Sequence, residues 1–223
     1  MRWRAAPSAT RSCTWPCCSR RCWSTITLWP RIPALLAALC VAALLGACDG
    51  GGPKFRNVDI TGADYAKDFA LTDHNGKART LADFRGKAVV VFFGFTRCPD
   101  VCPTTMVELK QVMAKLGADA DRVQVLFVTL DPERDTPAVL SQYVPAFDPR
   151  FLGMYTDPAS TLKTAKDFKV YFEKRAGSSP QDYTLDHTAA SFVYDPSGRL
   201  RLYVKHDQLA TLAEDLRTLL AGS

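Results

Sequence analysis

Acidic residues are missing from the first 47 positions of this 223-residue chain, which carry six Arg and neither Asp nor Glu. Of the 28 Lys and Arg, 22 therefore lie beyond that point, against 23 Asp and Glu. The formal charge of +5 is a property of the leader. The remainder carries one net negative charge and no basic footprint for nucleic acid. Cysteine is scarce where it would have to act as a staple. Five of the eight (Cys13, Cys17, Cys18, Cys22 and Cys40) precede residue 48, which leaves Cys48, Cys98 and Cys102 and excludes a disulfide scaffold. Histidine is limited to His74, His187 and His206, and no internal repeat is visible. What is present is 47% hydrophobic and 10% aromatic residues. That excludes a disordered chain and suffices for a real core.

The apolar run Ala34–Ala47 follows Arg31 and has 14 residues without a polar side chain. As a helix rising about 1.5 Å per residue it spans about 21 Å, short of the roughly 30 Å core of a bilayer. It suits the h-region of a secretory signal peptide better than a membrane span, although an uncleaved signal anchor is the competing reading. Leu45-Gly46-Ala47-Cys48 resembles a bacterial lipobox, in which small residues admit a peptidase and the cysteine thiol takes a diacylglycerol. Residues 1–47 are thus expected to be a signal region and Cys48 the lipidation site. Residues 48–58, with Gly50-Gly51-Gly52-Pro53, are expected to be a flexible tether, and residues 59–223 the folded domain. This places the domain at the periplasmic face of a bacterial cytoplasmic membrane. Asp49 resembles an inner-membrane retention signal. Residues 1–27 have no periodicity, and their four cysteines match no zinc-finger spacing. They read as an over-long n-region or a misassigned start.

Beyond the tether, Phe69-Ala70-Leu71 and Ala78-Arg79-Thr80 flank Asn75-Gly76, a hairpin signal. Ala88–Phe95 (AVVVFFGF) and Val123–Leu130 (VQVLFVTL) read as strands buried on both faces. Between them Met106, Leu109, Val112, Met113 and Leu116 recur at helical spacing, with Gly117 as the stop. Thr136-Pro137 opens a helix. Phe151–Tyr155 predicts a strand and Ala159–Phe168 a helix. Residues 169–186, with Gly177-Ser178-Ser179-Pro180, predict a loop or hairpin excursion. Ser191–Tyr194 and Leu200–Val204 form strands around a turn, and Leu209, Leu212, Leu216 and Leu219 a last amphipathic helix. This order predicts an α/β thioredoxin-like fold. A central mixed sheet is flanked by helices, with an N-terminal β-hairpin and an excursion before the last two strands.

Cys98-Pro99-Asp100-Val101-Cys102-Pro103 directly follows a buried strand and opens a helix. The strand end puts the pair at the sheet edge, where ligands bind in open α/β folds. The helix N-terminus offers unpaired N–H groups and a positive dipole end, both favouring thiolate. The C-x3-C spacing permits either a disulfide or a pair of thiolates that clamp a soft metal. A metal would need a third ligand. His74 reads as a solvated turn residue and His206 as a surface or capping residue. His187 sits between a polar segment and a strand, beside the sheet edge, and reads equally as a ligand or as a loop histidine bonded by Asp186.

Gly94–Met106 (GFTRCPDVCPTTM), Asp131–Pro137 (DPERDTP) and Leu185–Leu200 (LDHTAASFVYDPSGRL) resemble the three sequence blocks of the Sco/SenC family. These are membrane-tethered, copper-binding thioredoxin-fold proteins of cytochrome c oxidase assembly, and the likeness covers roughly residues 60–220. The resemblance implies copper, as Cu(I) or Cu(II), held by Cys98, Cys102 and His187. It also implies two partners, the oxidase subunit with the binuclear copper centre and a copper donor protein. Arg97 and Thr188 depart mildly from the usual pattern without removing a ligand. Asp131–Pro137 reads as a strand end and a helix cap.

Two thiolates and an imidazole suit Cu(I), whereas zinc would want a fourth ligand. The leading expectation is a copper chaperone. The alternative is a thiol–disulfide reductase working through Cys98 and Cys102, which keeps the oxidase's copper-ligand cysteines reduced. A peroxidase is disfavoured, because Phe95 and Pro99 stand where a Thr would precede the attacking cysteine. A passive copper-binding or sensing module is the remaining class.

Overall fold

The computed structural model describes residues 52–179 and 182–222. The signal region, Cys48 and its lipidation fall outside these residues. Among the described residues, no helix is long and apolar enough to cross a membrane.

The strands are β1 (Val58–Asp59), β2 (Ala70–Asp73), β3 (Ala78–Thr80), β4 (Ala88–Gly94), β5 (Val123–Thr129), β6 (Leu152–Tyr155), β7 (Phe172–Ser179), β8 (Asp182–His187), β9 (Ala190–Tyr194) and β10 (Leu200–Lys205). The α-helices are α1 (Val101–Leu116), α2 (Pro137–Tyr143), α3 (Pro158–Asp167) and α4 (Leu212–Ala221). Eight strands make one mixed sheet in the order β1-β10-β9-β4-β5-β6-β2-β3, and β7 and β8 form a separate ribbon. This is the thioredoxin-like α/β architecture that the element order predicts.

Every residue of β4 is buried, because helices cover both faces of the sheet. Side chains alternate across it. Phe93 packs on Phe168 at 4.9 Å and Phe192 at 6.2 Å, while Phe92 meets Phe127 at 6.0 Å on the other face. β4 is also where the strand order reverses. It pairs in parallel with β5, reached through α1, and antiparallel with β9 on its other side. A crevice outside the carboxyl end of such a strand is the usual binding position in open sheets.

The cap expected at Thr136 forms, and Asp157 caps the next helix. Thr136 Oγ1 accepts from the Val139 N–H, and Asp157 accepts from the N–H groups of Ala159 and Ser160. Gly117 ends α1 at φ 60°, a left-handed conformation that costs glycine little. The last helix is shorter than its apolar pattern. His206–Thr211 is a 3-10 segment, and α4 proper begins at Leu212.

Two features differ from the sequence reading. First, the chain joins the fold before residue 59. Arg56 and Asn57 donate their backbone N–H groups to the Asp215 carboxylate at 2.7 and 2.9 Å. Asn57 Nδ2 adds a third bond at 2.7 Å. Asp215 lies in the first turn of α4, where the helix dipole favours an anion. Second, His74 is not a solvated turn residue. Its Nδ1 accepts from the Gly153 N–H at 2.9 Å and its own N–H donates to the Gly153 carbonyl at 2.8 Å, so it pins the β2–β3 turn to β6. Burial holds its pKa below the ordinary histidine value. The excursion expected at 169–186 takes its hairpin form, an antiparallel ribbon in which Phe172 pairs with His187.

Candidate metal centre

β4 ends at Gly94, and Phe95, Thr96 and Arg97 carry the chain to Cys98. The turn is closed by the Cys98 N–H bonding the Phe95 carbonyl at 3.2 Å. Cys102 is the second residue of α1 and is fully buried, whereas Cys98 is half-buried. Gly94 makes room for this arrangement. A Cβ there would lie 3.0 Å from Cys102 Sγ and 2.9 Å from the Phe127 ring. The Cys102 N–H points at Cys98 Sγ at 3.4 Å, one of the donors that the start of α1 leaves free.

The ribbon supplies the third group. His187 is the last residue of β8, and its Nε2 stands 3.5 Å from Cys102 Sγ. Its Nδ1 lies 3.1 Å from the Thr188 carbonyl. A carbonyl only accepts, so Nδ1 carries the proton and Nε2 keeps a lone pair facing the sulfurs. Phe92 and Phe95 wall the imidazole, with ring centroids 6.5 and 5.9 Å away. One donor atom from each of Cys98, Cys102 and His187 lies within 4.8 Å of the other two. Among the described residues, this is the one group of three or more such side chains. His74 stands apart at the β6 edge, and His206 is exposed at the start of its 3-10 segment.

The two thiols are unequal. A hydrogen bond from Cys102 is the main cause that pulls Cys98 down to about 4. Burial opposes this, while the N–H groups of Asp100 and Cys102 assist. The same shared bond and burial push Cys102 up. Without a metal the pair is one thiolate and one thiol. Two sulfurs and an imidazole nitrogen with its lone pair inward form a soft donor set that fits Cu(I).

The Asp131–Pro137 block does more than its sequence reading as a strand end and helix cap. Asp135 is buried and accepts from the Thr96 N–H at 3.0 Å, Thr96 Oγ1 at 2.5 Å and Thr129 Oγ1 at 2.6 Å. It lashes the segment before Cys98 to the end of β5. Burial pushes its carboxyl up against these bonds. The sequence signal for it is two Asp four residues apart after an apolar strand, where Thr136 already supplies the cap.

The family model SCO1/SenC matches residues 58–221. The mitochondrial SCO2 homolog of Bos taurus is 36% identical over 202 residues, covering 84% of this chain and 75% of that protein. The copper-bound structure of ScoI from Bradyrhizobium japonicum is 42% identical at a TM-score of 0.62, over 67% of this chain and 96% of that one. The solution structure of apo Sco1 from Thermus thermophilus is 40% identical at a TM-score of 0.67, over 76% of this chain and 99% of that one.

Proposed function

The chain belongs to the SCO1/SenC family, and on that footing we propose that it is a membrane-tethered copper chaperone. It binds Cu(I) through Cys98, Cys102 and His187 and delivers it to the binuclear copper centre of cytochrome c oxidase. One observation carries this reading: two sulfurs and an imidazole, drawn from a helix start and a separate ribbon, lie within 4.8 Å of one another. The copper bound by the Bradyrhizobium relative supports the choice of metal. The proposal includes a copper donor protein, a lipid anchor at Cys48 and a place on the periplasmic face of a bacterial membrane.

The test is a Cu(I) titration of reduced protein against a competing chelator. The full chain carries Ser in place of Cys13, Cys17, Cys18, Cys22, Cys40 and Cys48, so that leader thiols do not compete. One tightly held Cu(I) per chain, much weakened by His187→Ala, is expected. Binding indifferent to His187 sinks the three-ligand site.

The unequal thiols favour a second reading, a thiol–disulfide reductase. The Cys98 thiolate attacks a partner disulfide, breaking its S–S bond, forming a mixed disulfide and releasing one partner thiolate. Cys102 then loses its proton and attacks Cys98 Sγ, which releases the second thiolate. Two electrons reach the partner and a Cys98–Cys102 disulfide remains. A reductase keeps its rate in His187→Ala, whereas a chaperone loses copper transfer.

A further inference from the structure

His187 belongs to a ribbon outside the eight-stranded sheet, yet its Nε2 must meet sulfurs fixed to that sheet. Along β8 the residues alternate between the two faces. Asp182, Thr184 and Asp186 are exposed, while Tyr183, Leu185 and His187 turn inward. Tyr183 and His187 thus share the face laid against the body of the protein.

Tyr183 is held on several sides. Its hydroxyl donates to Asp131 Oδ1 at 2.7 Å, and the Arg134 guanidinium lies 3.5 Å from its ring centroid. Arg134 Nη1 donates to the Tyr183 carbonyl at 2.7 Å, and Arg134 Nε to Asp131 Oδ2 at 2.5 Å. Lys174 of β7 approaches the same ring at 4.7 Å while pairing with Glu133 at 2.5 Å. The Asp131 carboxylate is 1% exposed and cannot follow a moving ribbon into solvent.

The bonds continue inward. The Asp131 N–H donates to Thr129 Oγ1 at 2.9 Å, Thr129 Oγ1 donates to Asp135, and Asp135 accepts the N–H of Thr96, two residues before Cys98. Two buried carboxylates four residues apart therefore reference both halves of the ligand set to the end of β5. Asp135 takes the cysteine segment and Asp131 takes the ribbon.

We infer that Tyr183, seated on Asp131 and Arg134, is a positioning residue that sets His187 on the two sulfurs. The inference rests on reading Cys98, Cys102 and His187 as a copper site. Partners around bound groups of this kind commonly change metal affinity about 10–100-fold when removed.

The experiment measures Cu(I) affinity by chelator competition in the full chain with its six leader cysteines changed to Ser. Tyr183→Phe and Tyr183→Ala are each made with and without His187→Ala. With His187 present, Tyr183→Ala is expected to weaken binding about tenfold and Tyr183→Phe about threefold. In the His187→Ala background neither changes it. The thiolate-to-copper absorption of the Cu(II) form should move toward that of His187→Ala. Tyr183→Phe removes only a hydroxyl, so the test stands even where Tyr183→Ala does not fold. Tyr183 variants that match the parent, or that weaken binding equally in both backgrounds, overturn the positioning role while leaving the copper site intact. A parent chain indifferent to His187 overturns both.

Discussion

The cysteines and the histidine reach one place by opposite routes. The tip of β4 and the start of α1 are part of the apolar core, where Cys102, Phe92 and Met106 are all fully buried. The β7–β8 ribbon is mostly polar and its outward residues are exposed; Leu185 alone of its described residues is buried in the core, and its other ties to the body are largely ionic or hydrogen-bonded. Packing fixes position within tenths of an ångström, because dense interiors leave no slack. Polar anchors hold a segment while leaving opening cheap, since few apolar contacts are lost when it parts. The lesson is a division of labour: two of the proposed ligands on a rigid wall, and one on an arm with a lower cost of release. The proposed delivery of copper calls for such an asymmetry.

The largest effect is expected at the wall. Phe92→Ala removes a buried ring that meets both Phe127 and the His187 imidazole. It should cost about 3–5 kcal/mol of stability, measured by denaturant unfolding. A cost under about 1 kcal/mol would mean that the wall is no more rigid than the arm. The next test uses the two thiols of the wall. The fold lowers the Cys98 pKa to about 4 and raises that of Cys102. The Cys98 thiolate is therefore fully present above that value and is lost only as pH falls through it. Cys102 stays protonated at neutral pH. At about pH 6, iodoacetamide should modify Cys98 about a hundredfold faster than Cys102 in the reduced, metal-free chain, read by peptide mass spectrometry. Equal rates would remove the asymmetry. A smaller effect is expected at Gly94→Ala, whose Cβ would press on Cys102 Sγ and the Phe127 ring. Overpacking of this kind costs about 1–3 kcal/mol, and the displaced sulfur should weaken Cu(I) binding as well.

The wall is far more legible in the sequence than the arm. Ala88–Phe95 announces a two-faced buried strand by composition alone, and a helix with Gly117 at its end follows from spacing. Cys98 and Cys102 stand out because their chemistry and place coincide. The arm gives no such signal. Phe172–Ser179 is a strand of mostly polar residues that lies outside the main sheet, so its alternation reports no core. His187 has two equal readings until the family blocks are weighed. Asp131 and Asp135 lie in a block that reads locally as a strand end and a helix cap, and their long-range bonds to Tyr183 and Thr96 exist only after folding. Local pattern misplaces His74 for the same reason, since its partner Gly153 is far along the chain. Local pattern identifies what a segment is, and tertiary pairing decides what a polar side chain does.

The smallest effect tests the arm itself. Arg175 pairs with Asp186 at 2.7 Å and with Glu173 at 3.1 Å, next to His187, and all three side chains are about half exposed. A count of charges would make this the ribbon's principal clamp. Solvent screens such pairs, and ordering three long side chains costs entropy, so Arg175→Gln should leave both stability and Cu(I) affinity essentially unaltered. These bonds also run within the ribbon rather than from the ribbon to the body, so removing them frees no hinge. Tyr183 and Asp131, by contrast, cross from the arm to a carboxylate that is 1% exposed. A large loss of copper affinity in Arg175→Gln, matched by none in Tyr183→Phe, would mean that surface charge rather than the buried anchor holds the histidine in place.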